Sequence, residues 1–260
     1  MADLVDSEGR WSGGQTVLVQ NGDVFDRGDT DLAVEEWLYC LVEEAEKANG
    51  AVHMMLGNHE VLCAMGDHRY ATRGAFEPFD ELRPELDAFI DELGLDWSMV
   101  GDNEPEWAKS RIAAMSPGGP VANIIAGCST CLKVGPNLLV HAGLLPSILK
   151  EGHTLESINH DAHNWLRGAG EFPRVLDGPD GPLWTRKFSS PDGQELAPVA
   201  RELLDEVLEM TGCKRMIVGV SGLQPSPATL VQRSHPHYLF HELAHRFSAH
   251  SAAHWHQSCC

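Results

Sequence analysis

Two short motifs place oxygen ligands, an arginine and a histidine in a fixed order along the chain. Residues 22–29 read G-D-V-F-D-R-G-D, and residues 57–60 read G-N-H-E. The carboxylate of Asp23 can bridge two cations, and the amide oxygen of Asn58 can complete the coordination of one of them. The guanidinium of Arg27 suits the oxygens of a phosphate dianion. The pair of motifs therefore predicts a two-metal site that binds phosphate.

The residues around the motifs predict the elements that position them. Residues 16–20 and 52–56 are short apolar runs of the kind that form buried strands. From Asp31 onward, apolar residues recur at helical spacing, Glu35 lies on the opposite, acidic face, and an Asn-Gly pair ends the helix. A strand, a helix and a strand of this length predict a parallel pair with a right-handed crossover. Both motifs then lie at carboxyl ends of strands, where ligands of such sheets bind.

The rest of the chain predicts a helical segment followed by a second group of strands. Residues 75–118 are acidic and helical in pattern, and we interpret them as a helical insertion that forms one wall of the site. Beyond this insertion we expect short strands at 121–125, 130–134 and 138–141, a helix at 198–210 and a strand at 215–220. A Gly-Pro-Asn turn predicts that the second and third of these strands form a hairpin.

The composition limits the class of protein. A chain of 260 residues with 43% hydrophobic and 22% charged residues is ordinary for one globular domain. Its net charge of −19 argues against a nucleic acid or an anionic membrane as partner. The sequence has no run of about 18 apolar residues and no secretory signal. Seven cysteines, an odd number, suggest reduced thiols, so we expect an intracellular, cytoplasmic location, with an organelle left open.

Three further motifs extend the pattern beyond G-N-H-E. They read E-V-L-C-A-M-G-D-H-R-Y, V-H-A-G-L-L-P and P-L-W-T-R-K-F-S, at residues 60–70, 140–146 and 182–189. Together with the first two motifs they resemble the calcineurin-like metallophosphoesterases, and among these the Shewanella-like branch of the phosphoprotein phosphatases. The resemblance implies an α/β fold: a calcineurin-like two-sheet β-sandwich flanked by helices, with an incomplete N-terminal strand.

The resemblance implies that three residues are metal ligands. Asp23 matches the aspartate that bridges both metals, and Asn58 and His141 match ligands of the second metal. The implied cofactors are two divalent ions of manganese, iron or zinc, which activate water for attack on phosphorus. The residues themselves leave simpler roles open. Asp23 and Asn58 could bond their own loops, and His141 could be a histidine of the core.

The resemblance also implies which residues act on the phosphate ester. His59 matches the histidine that protonates the leaving alkoxide, and Asp26 matches the partner that orients it. Arg27 and Arg186 match arginines that hold phosphate oxygens, although Arg186 could instead stack on Trp184. The implied activity is hydrolysis of phosphate monoesters, of the serine/threonine protein phosphatase type. Its substrate would be a phosphorylated protein or a small phosphomonoester, and the oligomeric state is left open.

Two departures from the family pattern bear on activity. The family carries a G-D-x-H motif, one strand before the first motif, that supplies an aspartate and a histidine to the first metal, and this motif does not occur in the sequence. The family's G-H-T, with a second-metal histidine, reads Gly219-Val220-Ser221 here. We therefore expect at most one tightly bound metal and weaker activity than that of an intact relative. The alternative is a catalytically impaired relic that binds phosphate or a phosphoprotein.

The end of the sequence differs in composition from the rest. Residues 233–260 hold seven of the 14 histidines. We therefore divide the chain into a phosphoesterase domain at 1–232 and a His-rich tail at 233–260, outside the packed core. Within the tail, residues 241–245 read H-E-x-x-H, which on a helix could bind zinc as in metallopeptidases. Because histidines crowd this segment, one such match has little weight, and a zinc peptidase stays the remote alternative.

Overall fold

The structure, a computed structural model, describes residues 4–92, 97–101, 104–189 and 196–219. Its first elements are the strand β1 (Val17–Gln20), the helix α1 (Asp31–Lys47), the strand β2 (Ala51–Met54) and the helix α2 (Asn58–Ala64). The helices α3 (Glu77–Glu81), α4 (Arg83–Glu92), α5 (Glu106–Met115) and α6 (Pro120–Ile125) follow. The remaining elements are β3 (Cys131–Val134), β4 (Asn137–Val140), α7 (Pro146–Lys150), α8 (Leu155–Leu166), α9 (Pro198–Thr211) and β5 (Arg215–Val218).

The first motif pair lies on a parallel βαβ unit, as predicted. β1 pairs with β2 in parallel, from Val17 opposite Ala51 to Gln20 opposite Met54, and α1 makes the crossover. Asn49 follows α1 with a φ of 58°, in the left-handed region where asparagine is tolerated and where a helix can end. Because β1 and β2 are neighbours in one parallel sheet, the motifs that follow them lie at the same edge of that sheet.

A second sheet carries His141, which follows the strand β4. β3 and β4 form the predicted antiparallel hairpin, and β5 adds to β4 in parallel. The two sheets meet through Ser129, whose N–H donates to Met54 O at 3.0 Å and whose carbonyl accepts from Leu56 N at 2.9 Å. The predicted α/β fold with two sheets and flanking helices is confirmed. The carboxyl end of β4 therefore lies near the carboxyl ends of β1 and β2.

Residues 121–125 are helical, so the strand predicted there is wrong. Gly119 is the N-cap residue with extended backbone, and Pro120 is the first helical residue, where its fixed φ favours a helix start. The helix α6 packs against α5 and α8, which buries Val121 and Ile125 completely. A short apolar run suits a buried helix as well as a buried strand, so its periodicity alone does not distinguish them.

The helix α1 buries most of its apolar face as predicted, including Leu38, Leu41 and Ala45, but it also buries one acidic residue. Glu35, predicted on the solvent face, is only 3% exposed, whereas its apolar neighbour Val34 is 37% exposed. Burial and the charges of Glu60 and Asp31 raise the pKa of Glu35 well above its ordinary value. The neighbours of Glu35 include Glu60 and Cys128 from distant segments, so its burial depends on tertiary packing and not on the helical pattern.

The predicted helical insertion at 75–118 is confirmed for its described residues, which form α3, α4 and α5. Six of its apolar residues form a small core of their own, made of Phe76, Ile90, Val100, Ala108, Ile112 and Ala113, while others, such as Phe79 and Leu86, join the main core. None of the helices in the described residues is both long and apolar enough to span a membrane. The tail at 233–260, with its H-E-x-x-H motif, lies outside the described residues.

Candidate active site

The loop after β1 has an unusual backbone. Asp23, Asp26 and Arg27 have φ values of 58°, 76° and 63°, in the left-handed region that residues other than glycine avoid. Gly22 precedes them with a φ of 87°, and a Cβ there would lie 2.5 Å from the backbone nitrogen of Gly57. Each strained residue costs about 1–3 kcal/mol and persists only where surrounding contacts hold it. The loop must therefore be fixed by strong contacts.

Glu60 supplies those contacts. Its Oε2 atom accepts the N–H groups of Gly57 at 2.7 Å and Asp23 at 2.9 Å. Its Oε1 atom accepts those of Val24 at 2.7 Å and Phe25 at 3.2 Å. Burial and the nearby Asp23 charge raise the pKa of Glu60, and the backbone donors oppose this rise. One carboxylate thus joins the two motifs through four backbone donors.

Three side chains with metal-binding atoms converge beside this loop. The Nε2 atom of His141 lies 3.1 Å from Asn58 Oδ1 and 3.4 Å from Asp23 Oδ2. His141 Nδ1 lies 2.7 Å from the carbonyl oxygen of Asn21, which can only accept, so Nδ1 donates there. In the neutral ring, Nε2 then presents a lone pair toward two oxygen acceptors. A carboxylate, an amide oxygen and an imidazole nitrogen at this spacing fit a divalent cation.

The charges of this cluster act on one another. Burial favours a lower pKa for His141, but its hydrogen bond with Asp23 and the charge of that carboxylate raise the pKa above the ordinary value. Burial likewise favours a higher pKa for Asp23, and the hydrogen bond and charge of His141, together with the charge of His59, lower it. The site therefore favours an ionised Asp23, which a cation ligand must be.

A histidine–aspartate pair lies next to the cluster, at the start of α2. His59 Nδ1 is 2.7 Å from Asp26 Oδ2, and the two side chains are almost completely buried. The Arg27 guanidinium donates to His59 Nε2 at 2.9 Å, so in this state Nδ1 carries the proton that Asp26 accepts. The Tyr70 ring packs edge-on against the His59 imidazole, with 5.2 Å between the ring centroids. The backbone carbonyl of Tyr70 accepts the backbone N–H of Arg27 at 3.1 Å.

The structure brings together six of the seven predicted site residues, namely Asp23, Asp26, Arg27, Asn58, His59 and His141. Arg186 is exposed, and within the described ranges the structure shows no hydrogen bond between its side chain and these six; its backbone carbonyl accepts from Ser189. Its segment is nevertheless docked at the end of β4, where the Pro182 carbonyl accepts the N–H groups of Ala142 and Gly143.

Sequence reasoning missed two residues that hold this site. Glu60 stands at the third helical position after Gly57, the spacing of a capping box, and this spacing is a signal that could have identified it. Arg111 lies far along the chain in α5, yet its guanidinium reaches Asp26 at 3.3 Å. No local pattern marks Arg111, since its partners come from distant segments.

Comparison with known proteins places the chain in a family. The sequence model of the family described as calcineurin-like phosphoesterase matches residues 5–197. The chain belongs to the calcineurin-like phosphoesterase family, and the resemblance inferred from the motifs is confirmed. Membership implies divalent metal cofactors. Within the described ranges, no three His, Cys, Asp or Glu side chains are grouped to hold a metal, and the cluster above includes the amide of Asn58 as its third donor.

The relatives it matches include phosphatases of the predicted branch. Shewanella-like protein phosphatase 2 of Arabidopsis thaliana is 32% identical over 251 aligned residues, covering 84% of this chain and 60% of that protein. An uncharacterised protein of Schizosaccharomyces pombe is 25% identical, covering 80% of this chain and 56% of its own length. This chain therefore spans less than two thirds of either relative.

Solved structures agree on the fold. The cold-active protein-tyrosine phosphatase of a psychrophilic Shewanella species is 21% identical, with a TM-score of 0.54 over 83% of this chain and 57% of that chain. The I115M mutant of a cold-active protein tyrosine phosphatase aligns with a TM-score of 0.56 at 22% identity. At this level of identity the likeness concerns the fold alone.

Proposed function

We propose that this chain hydrolyses phosphate monoesters with the help of a divalent cation held by Asp23, Asn58 and His141. The observation that carries the proposal is the convergence of these three donors beside the buried Asp26–His59 pair. A divalent cation bound there supplies Lewis acidity toward a phosphoryl oxygen and lowers the pKa of a bound water. Manganese, iron and zinc all suit this mixed set of donors, and the two-metal arrangement of the family stays a prediction.

Arg27 and His59 act on the ester from the other side of the site. The Arg27 guanidinium contacts His59 Nε2 at 2.9 Å. A phosphate dianion offers the guanidinium two charged oxygens, which bind it more strongly than a neutral imidazole nitrogen does. Movement of Arg27 onto phosphate would free His59 Nε2 to take up a proton from solvent, and the imidazolium, held by Asp26 at Nδ1–H, would then donate the Nε2 proton to the leaving oxygen. Arg186 stays a predicted second phosphate ligand.

The substrate class we propose is a phosphorylated protein side chain or a small phosphomonoester, on the pattern of serine/threonine protein phosphatases. The solved structures with this fold are those of cold-active protein tyrosine phosphatases, so both kinds of leaving group belong in the test. The charge of −19 makes nucleic acid an unfavourable substrate.

The test is hydrolysis of p-nitrophenyl phosphate by the purified chain with Mn²⁺, compared with Asp23→Asn. The rates of phosphate release from phosphoserine and phosphotyrosine peptides are then compared to show which leaving group is preferred. We expect phosphate release that needs Mn²⁺ and is lost in the variant. Release equal in both chains would contradict the assigned site.

A second candidate is a phosphate-binding protein without turnover. It is favoured by the sequence Gly219-Val220-Ser221, which lacks the histidine of the family's G-H-T. This candidate predicts calorimetric binding of a phosphopeptide, weakened by Arg27→Ala, together with no release of phosphate by the unmodified chain. The H-E-x-x-H motif lies outside the described residues and carries no proposal.

A further inference from the structure

Arg111 is an arginine whose side chain is completely buried, in the last part of α5. All five of its N–H groups face an acceptor. Nη1 donates to Asp31 Oδ2 at 2.8 Å and to the Ala75 carbonyl at 3.0 Å. Nη2 donates to Asp26 Oδ1 at 3.3 Å and to Cys63 Sγ at 3.6 Å, and Nε lies 3.4 Å from His68 Nδ1. A buried guanidinium with this many partners is held in one orientation.

The contact with Asp26 links Arg111 to the histidine of the site. Asp26 uses Oδ2 for His59 Nδ1 at 2.7 Å and Oδ1 for Arg111. The backbone of Asp26 is tied to the same arginine, because Asp31 Oδ2 accepts both Arg111 Nη1 and the Asp26 N–H. Arg111 therefore fixes the Asp26 carboxylate and, through Asp31, the strained backbone that carries it.

Three aromatic rings pack around the Arg111 guanidinium. The rings of Phe25, Phe76 and Phe79 have their centroids 5.1–5.7 Å from the Arg111 guanidinium carbon. Phe76 belongs to the small core of the helical insertion, whereas Phe25 belongs to the first motif. The arginine thus lies where the insertion packs against the motif loop.

We infer that Arg111 is a positioning residue for the Asp26–His59 pair, and that the helical insertion serves catalysis by presenting it. The expected effect on hydrolysis rests on the proposed function. The positioning of the Asp26–His59 pair by Arg111 can be tested without any turnover. The simpler interpretation is that Arg111 only ties the insertion to the rest of the domain. Arg83 provides the matched control, because it ties the insertion internally, over the Trp97 ring at 3.6 Å and to Glu106 at 3.2 Å.

The first measurement needs no turnover. The Nδ1–H proton of His59, bonded to a fixed carboxylate, should give a slowly exchanging imidazole resonance, identified by its absence from His59→Asn. We expect Arg111→Lys to lose or broaden this resonance, since lysine cannot replace the planar fork, and Arg83→Met to retain it. If Arg111→Lys does not fold, the double change Arg111→Met with Asp31→Asn removes one charge of each sign and gives the same expectation. A resonance unchanged in folded Arg111 variants, or missing from the unmodified chain, would overturn the inference.

The second measurement compares leaving groups. A residue that acts through a proton donor matters most where the leaving oxygen needs the proton. Arg111→Lys should therefore lower kcat for an alkyl phosphate by about 10²-fold, while kcat for p-nitrophenyl phosphate changes much less. KM and metal content should stay as in the unmodified chain. Equal loss with both substrates would mean a purely structural role. If no form of the chain hydrolyses either substrate, the proposed function fails while the resonance still decides the role of Arg111.

Discussion

Glu60 Oε2 accepts the backbone N–H of Asp23 at 2.9 Å, so the second motif holds the first by its main chain. The same oxygen caps α2 at Gly57, and the other oxygen binds the next two N–H groups of the loop. Asp23 keeps a φ of 58° under this restraint, and its carboxylate is thereby presented to Asn58 and His141. The glutamate of G-N-H-E thus has a definite place in the site, through its bonds to the backbone of both motifs.

Replacing this carboxylate by an amide should destabilise the protein and loosen the site. In Glu60→Gln the amide nitrogen faces backbone donors, so N–H groups that are now bonded would be left unsatisfied, at about 1–3 kcal/mol each. We expect a lower urea midpoint and weaker Mn²⁺ binding by calorimetry. Glu151→Gln, at an exposed position, serves as control. Unchanged stability and affinity would show that the four contacts are dispensable.

Removing the imidazole of His59 should affect the rate and leave the metal in place. If His59 is the proton donor, His59→Asn lowers the rate of hydrolysis by about 10²–10⁴-fold. Elemental analysis should find the same metal content as in the unmodified chain, because the cluster of Asp23, Asn58 and His141 is intact. His160→Asn, exposed on α8, is the matched control. Parallel loss of metal and activity would instead identify His59 as a ligand.

The donor cluster predicts one tightly bound divalent cation per chain. The three donors of the described residues suit a single cation, and His141→Ala removes the only nitrogen among them. We expect elemental analysis of the unmodified chain to give one metal, and calorimetry of the variant to give a much weaker Mn²⁺ affinity. His160→Ala tests for unspecific effects of losing a histidine. Two metals on the unmodified chain would mean that residues outside the cluster supply further ligands.

The buried Glu35 predicts how stability depends on pH. Its pKa in the folded protein is raised above the ordinary value of 4.5, by burial and by the charges of Glu60 and Asp31. Above its ordinary pKa, this carboxyl is ionised in the unfolded chain but still protonated in the folded protein. Until the pH reaches the raised pKa, the group therefore lowers the stability of the fold as pH rises, by up to about 1.4 kcal/mol per pH unit. Glu35→Gln should therefore lose less stability between about pH 5 and about pH 8.

Urea unfolding at the two pH values measures this difference. Glu46→Gln, on an exposed position of the same helix, should keep the pH dependence of the unmodified chain. Burial, with a contribution from the charge of Glu35, raises the pKa of the neighbouring Tyr39 hydroxyl and Cys128 thiol. A Glu35→Gln protein that follows the unmodified chain at both pH values would show that this carboxyl is solvated.

Local patterns sufficed for the βαβ unit and for most of the site. Residues 22–29 and 57–60 follow neighbouring parallel strands, and strands of one sheet place their carboxyl ends at one edge, so their side chains could be expected to meet. The hairpin at β3 and β4 and the helix α9 were also predictable, because turn residues and periodicity act over short distances. The division at residue 232, the role of the tail and the catalytic roles of the site residues stay predictions.

Only the tertiary structure decided which side chains hold the site residues in place. Arg111 reaches Asp26 and Asp31 from a helix that the sequence marks only as an acidic wall, since contacts between distant segments leave no spacing to read. Glu35 is buried among neighbours from distant segments, such as Glu60 and Cys128, and residues 121–125 form a helix that packs against α5 and α8. The residue types of a motif and their spacing along the sequence determine which atoms can take part in the chemistry. Their orientation depends on charges and packing contributed from elsewhere in the chain.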